Sequence, residues 1–208
     1  MLMRNRSQRR LTPADWARAA LDAIAEGGVD GVAVETIAGK LDATKGSFYW
    51  HFKNRDALVE AALDLWEERR TAAVIEELER EPDPARRLHT LLHAGLEAGP
   101  AQRAEIALLS NPSHPAVLRA VRRVARRRIS YIADQLKALG WDAPAARDRA
   151  ILLYYVYVGH MQMAHAAPRL ATVQDRRRQV EVAFDALVLG APGQEAPAGV
   201  SSARRRGT

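Results

Sequence analysis

Between residues 36 and 56 the chain reads TIAGKLDATKGSFYWHFKNRD, and its middle carries groups suited to a phosphate-rich polymer. Lys45 and Ser47 can reach base edges or phosphates, and Tyr49, Trp50 and His51 can hold phosphates through hydroxyl, indole and imidazole donors. Gly46 has no side chain, so a helix backbone can come close to a ligand there. Lys53 lies beside the start of a following helix, whose free amides and partial positive charge make an anion site. With Thr36 and Thr44 these residues form the candidate DNA-binding set.

The elements that must position them are short helices. Ile37, Ala38 and Leu41 recur at helical spacing and give one apolar face. Asp42-Ala43-Thr44 breaks that pattern with side chains able to turn and cap a chain. A second helix is predicted over 44–52, burying Phe48 and Phe52 one turn apart and leaving the polar and aromatic groups outward. That is the pattern of a helix-turn-helix whose second helix enters the DNA major groove. Ahead of it, Thr12-Pro13 predicts a capped helix start. That helix buries Trp16, Ala20, Leu21 and Ile24 and stops at Gly27-Gly28. Behind it, Asn54 caps a helix predicted over 55–81, with Leu58, Leu65, Trp66 and Val74 among its apolar positions, a connecting rod stopped by Pro82 and Pro84.

Residues 12–66 resemble the DNA-binding domain of the tetracycline-repressor (TetR) family of transcriptional regulators. The resemblance is carried by Trp16, Ala19-Ala20-Leu21, Glu26-Gly27-Gly28, Ile37-Ala38, Leu41, the run from Lys45 to Phe52, and Lys53-Asn54-Arg55-Asp56-Ala57-Leu58. It covers about a quarter of the chain, with many positions agreeing in order and spacing. It implies an all-helical homodimer, a variable C-terminal ligand domain, and repression relieved by a small molecule. One position departs from the pattern: Ala33 stands where family members often have Thr or Ser. Alanine neither caps a helix nor offers a hydroxyl, which leaves Thr36 or the backbone to make that contact.

The expected architecture is therefore all-α. A flexible basic arm (1–11, with Arg4, Arg6, Arg9 and Arg10) precedes a three-helix helix-turn-helix domain (12–53). A long helix then leads into a ligand-binding and dimerisation domain (54–190), followed by a disordered tail (191–208) rich in Pro, Gly, Ser and Ala. Helices are predicted over 85–98, 101–109, 115–139, 144–167 and 172–189. The fourth of these is apolar round most of its circumference, so it should be covered from several sides. Its Tyr154, Tyr157, His160 and Met161, together with Trp66, are the candidate effector-pocket residues, because pockets are apolar with a few placed polar groups. Tyr155 and Gly159, with Val180, Phe184 and Leu187 of the last helix, are the candidate dimer interface. Pairing these helices with their two-fold copies would give a four-helix bundle.

Other readings are excluded or set aside by composition. A formal charge of +6 with pI near 10.0 favours an anionic partner such as nucleic acid. Cysteine is absent, which excludes disulfides and thiolate chemistry. No apolar run is long enough for a membrane span and no signal core follows the N-terminal arginines, so a cytoplasmic, membrane-free protein is expected. Arg119, Arg122, Arg123, Arg126, Arg127 and Arg128 read as the solvated face of an amphipathic helix. His89 and His93 lie one turn apart, but no acidic residue stands beside them in sequence and a zinc site needs three or four ligands. No metal or cofactor is expected. No nucleophile–base pair, carboxylate pair or phosphate-binding glycine loop supports an enzyme. A nonspecific DNA-coating protein remains as an alternative, separable by the loss of sequence discrimination at raised salt. The reading that results is a sequence-specific regulator bound to an operator, with a small-molecule effector and a second copy as its partners.

Overall fold

Thr12 starts the first helix through a reciprocal cap. Its Oγ1 accepts from the Asp15 amide at 3.3 Å, and its own amide donates to Asp15 Oδ2 at 2.9 Å. Pro13 takes the first helical position, where its missing N–H has no cost. The computed structural model describes residues 10–95, 100–110, 114–170 and 172–190, and these residues contain helices and connecting turns but no strand. The arm before residue 10 and the tail after residue 190 lie outside the described residues.

The chain divides into two compact units, residues 1–77 with 97–128, and residues 78–96 with 129–208. In unit 1, α1 (Pro13–Gly27), a 3-10 turn (Val29–Gly31), α2 (Val34–Lys40), α3 (Lys45–Tyr49) and α4 (Arg55–Glu67) follow in order. α7 (Pro100–Leu109) packs against α1, and Val117, Ala120 and Val124 from the first half of α8 (Pro115–Ala138) join the same core. Trp16, Ile24, Ile37, Phe48, Leu58 and Trp66 are almost fully buried in it. Each large apolar side chain placed there contributes about 1.5–3 kcal/mol over an exposed one. This division differs from a boundary at residue 53/54. Leu58, Val59, Ala62 and Leu63 make α4 part of the unit 1 core, and residues 97–128 return to the same unit.

The helix predicted over 55–81 is interrupted. After α4 comes a π-helical turn, Glu68–Ala72, and then α5 (Ala73–Leu78). A π turn widens the backbone ladder and needs other partners. Arg128 supplies them, with Nη2 donating to the Arg70 carbonyl at 3.1 Å and Nε to Thr71 Oγ1 at 3.0 Å. The arginine run of α8 is thus more than a solvated face. Arg119 meets Glu60, Arg123 meets Asp64 and Glu67, and Arg127 approaches Glu67, all on α4.

Unit 2 contains α6 (Pro84–Ala94), α9 (Ala143–Ala166), α10 (Val173–Phe184), a final π turn (Asp185–Leu189) and the end of α8. Side chains of Asp83, Asp142 and Thr172 cap α6, α9 and α10. Leu88, Leu92, Leu136, Trp141, Leu153, Val180, Phe184 and Val188 form its core. Arg149 pins the last turn, donating to the carbonyls of Ala186 and Leu187 at 3.0 and 3.1 Å while its guanidinium lies over the Trp141 ring.

α9 buries Ala146, Ala150, Leu153, Tyr154 and Met161 and leaves Leu152, Tyr155 and Met163 exposed. One expectation is corrected here. The stripe of Val180 and Phe184, assigned from its amphipathic spacing to a partner, faces inward, and both side chains are buried within unit 2 of a single chain. Leu187 is half-buried against the same core. Spacing shows which residues share a face, and the structure turns that face to α6 and its neighbours.

Candidate nucleic-acid interface

α2 ends without glycine. Asp42 takes the left-handed conformation (φ 53°), and the Ala43 amide reaches back to the Ala38 carbonyl at 2.8 Å. Aspartate tolerates that region better than most side chains, and the long return bond closes the helix end. The chain then restarts at once, with Thr44 Oγ1 accepting from the Ser47 amide at 3.2 Å. α3 is shorter than the predicted 44–52. Thr44 stands outside it as the cap, and beyond Tyr49 the backbone continues in turns in which the His51 and Phe52 amides both donate to the Phe48 carbonyl.

Phe48 anchors this helix. Its ring meets Trp16 edge-on at 5.5 Å and stacks on Phe52 at 5.7 Å. With that side fixed, the other side chains are presented outward. Tyr49 is 56% and Trp50 87% exposed. Thr36, Thr44, Lys45, Gly46 and Lys53 are exposed, and Ser47 and His51 are half-buried. The Tyr49 ring still touches Phe48 edge-on at 5.0 Å, whereas the Trp50 ring stands almost wholly in solvent. Ala33, as its side chain requires, gives α2 no cap bond.

Lys45 is not idle in this state. Its Nζ lies 2.6 Å from Glu35 Oε1. The hydrogen bond with Glu35 raises the Lys45 ammonium above its ordinary pKa, and the same bond holds the Glu35 carboxyl below the usual carboxylate range. An anion arriving at α3 must compete with Glu35 or leave the pair displaced. Gly46 has room to spare: a Cβ there would meet only Thr44 Oγ1, at 3.7 Å. Nothing in the folded chain therefore requires glycine at that point.

One supporting residue was not singled out from the sequence. Arg55 opens α4, and its Nε and Nη2 donate to the carbonyls of Val32 and Val29 at 2.7 and 2.5 Å. It ties the turn before α2 to the helix after α3, bracketing the motif. Its position right after the Asn54 cap was the available signal, but its carbonyl partners, far upstream in the chain, were not visible.

The candidate effector residues are not gathered in one place. Trp66 belongs to the unit 1 core, 1% exposed, with Arg128 over its ring at 5.9 Å. Its indole is taken up by that packing, whereas the other candidates stand on α9 in unit 2. Tyr154 and Tyr157 lie 6.3 Å apart, and Met161 is fully buried. His160 instead lines an open groove of 380 Å³ with Tyr155, Gly159, Met163, Leu170 and Arg176. Three residues assigned to a dimer interface, Tyr155, Gly159 and Val180, and one assigned to a pocket, His160, thus meet in one depression.

Fold and interface together define an all-helical protein with a helix-turn-helix at its N-terminal end. Residues 17–62 match the family of bacterial regulatory proteins, tetR family, within the stretch that carries the resemblance. The tetracycline repressor protein class A from transposon 1721 of Escherichia coli is 42% identical over 52 residues, 25% of this chain and 24% of that protein. The match thus spans about a quarter of the curated relative's length. The fold extends further. A transcriptional regulator of Rhodococcus sp. Rha1 superposes with TM-score 0.75 at 23% identity, covering 90% of this chain and all of that one. A regulator from Saccharomonospora viridis, solved in complex with choline, gives TM-score 0.71 at 18% identity over 82% of this chain and 93% of its own.

Proposed function

We propose that this protein is a sequence-specific transcriptional regulator that binds operator DNA through α3 as a homodimer and leaves it when a small molecule occupies unit 2. The observation that carries the reading is the presentation of Lys45, Tyr49 and Trp50 outward from a helix fixed by Phe48 against Trp16. Lys45 and Ser47 reach base edges or phosphates, Gly46 admits the DNA backbone, and Lys53 with the first amides of α4 holds a phosphate. Thr36, Thr44, Trp50 and His51 complete the contact. A dimer would set two such helices one turn of DNA apart, about 34 Å, or a small multiple.

Exposed apolar side chains in unit 2 support dimerisation: Leu152, Tyr155 and Met163 of α9, with Val182 of α10 and Leu189 just beyond it. A water-facing set of this kind is a surface waiting for a copy of itself. No described helix is long and apolar enough to cross a membrane. A regulator of this kind works where its DNA is, in the cytoplasm. The choline complex of the Saccharomonospora viridis relative supports a small-molecule input to this fold. Linkage makes the coupling reciprocal, so that a hundredfold loss of operator affinity needs about 2.7 kcal/mol.

The test is a gel-shift titration of Lys45→Ala and Tyr49→Phe against operator fragments selected with the wild-type protein. Both variants should keep their helical circular dichroism and lose affinity by about tenfold or more, roughly 1.4 kcal/mol. Unchanged affinity in both would remove α3 from the interface. Equal binding to all sequences at raised salt would favour the nonspecific alternative.

A further inference from the structure

The two histidines one turn apart on α6 acquire a third partner in the folded chain. Glu181, on α10, places its Oε1 3.2 Å from His89 Nε2 and 2.6 Å from His93 Nε2. One ligand atom from each residue lies within 4.8 Å of the other two, and all three residues are accessible from solvent. The imidazole rings are 4.4 Å apart, and the His89 ring stands perpendicular to Phe184 at 5.2 Å, which fixes its plane. Both Nε2 atoms are thus aimed at one carboxylate oxygen from a helix far along the chain.

We propose that His89, His93 and Glu181 bind one divalent transition-metal ion of the zinc class, with water in the remaining coordination position. Metal–ligand distances of about 2.0–2.2 Å put neighbouring donors of a tetrahedral site roughly 3.4 Å apart. The His89–Glu181 pair, at 3.2 Å, needs almost no movement, and the His93–Glu181 pair, at 2.6 Å, opens by less than an ångström. Two imidazoles and one carboxylate are the donor set of an open zinc site. Without thiolate the site does not select copper(I), and with only one carboxylate it is no oxygen cage for calcium or magnesium. The carboxyl of Glu181 is held below the usual range, first by its hydrogen bond to His93 and then by that to His89, so the anionic ligand is ready. Uptake of the ion replaces both contacts to Glu181, each Nε2 turning its lone pair to the metal. It ties α10 to α6, and it does so whether or not the protein binds DNA.

The experiment uses the tag-free full chain after chelator treatment, titrated with zinc by calorimetry and with cobalt(II) by its d–d absorption. Wild type should take up one ion per chain, with the intense visible bands of tetrahedral cobalt, and zinc should raise its melting temperature. His89→Phe, His93→Phe and Glu181→Ala should each lose at least about tenfold in zinc affinity, roughly 1.4 kcal/mol. Their melting temperatures should no longer respond to zinc, while His165→Ala behaves as wild type. Far-ultraviolet dichroism of each variant verifies the fold, and the partly exposed positions tolerate the changes. No one-to-one uptake by the wild type, or uptake unaltered in all three variants, overturns the proposal.

Discussion

Glu105 and Arg128 form a buried ion pair in unit 1, with guanidinium nitrogens 2.5 and 3.3 Å from the two carboxylate oxygens and the Glu105 side chain 1% exposed. The same guanidinium holds the π turn after α4. Removing it strands a carboxylate whose other cation, Arg70, stands at 4.0 Å. Arg128→Met should therefore lower unfolding free energy by about 3–5 kcal/mol. The double variant Arg128→Met, Glu105→Gln should recover part of that loss. Denaturant titrations of the single and double variants check both statements, and a double variant no better than the single would show that the charge is not the cause.

Arg55→Met tests the bracket around the helix-turn-helix. Two charge-assisted hydrogen bonds to the Val29 and Val32 carbonyls disappear while the aliphatic stem stays. The expected cost is about 2 kcal/mol. Amide hydrogen exchange should speed up in α2 and α3 before it does in α9, a local signature that distinguishes a loosened motif from general destabilisation.

Gly46→Ala separates folding from binding. The site has room for a methyl group, and alanine in a helix is favoured over glycine by about 0.5–1 kcal/mol. The variant should melt slightly higher than wild type and bind operator at least about tenfold more weakly, roughly 1.4 kcal/mol. Operator affinity equal to wild type would mean that the DNA does not approach the α3 backbone there.

His160 gives unit 2 an acid-sensitive component. Burial, followed by the nearby Arg176 charge, lowers its pKa below 6.5 in the folded chain. The unfolded chain then binds the proton first as pH falls. Stability from this group is complete above about pH 6.5, declines below it, and levels off once pH has passed the folded value. His160→Gln should flatten the difference in melting temperature between about pH 7.5 and about pH 5. An identical profile in the variant would assign the acid sensitivity elsewhere.

Val182→Glu addresses the association of two copies. Val182 is 67% exposed in the single chain, so a carboxylate there leaves the protomer intact but would be buried in a dimer. Sedimentation should show the monomer, with operator binding lost alongside. A change at Phe184 could not make this distinction, because that ring belongs to the core of unit 2.

The legible parts of the sequence were those whose determinants are local. Thr12-Pro13, Asn54 and Phe48 with Trp16 could be read because caps and aromatic anchors act within a short span or within a familiar motif. The π turn at Glu68–Ala72 could not, since the group that satisfies it lies on Arg128. Glu181 likewise completes a set whose other two members are on α6, and no spacing rule reaches across that interval. The inward stripe of α10 fell between the two. Its periodicity was plain, but the choice between own core and partner depends on α6, which supplies Leu88 and Leu92 to meet it.

The return of residues 97–128 into the N-terminal compact unit bears on how such proteins can be recombined. A graft that joins the segment ending at Lys53 to the C-terminal part of another chain would carry α1 away without the α7 surface against which it is packed. The donor would contribute a fragment with an open apolar face, and the hybrid's solubility would hinge on whether the recipient happens to offer a matching helix. Exchange of parts with this chain therefore has to respect its boundaries at 77/78, 96/97 and 128/129 together, and a single crossover cannot supply them.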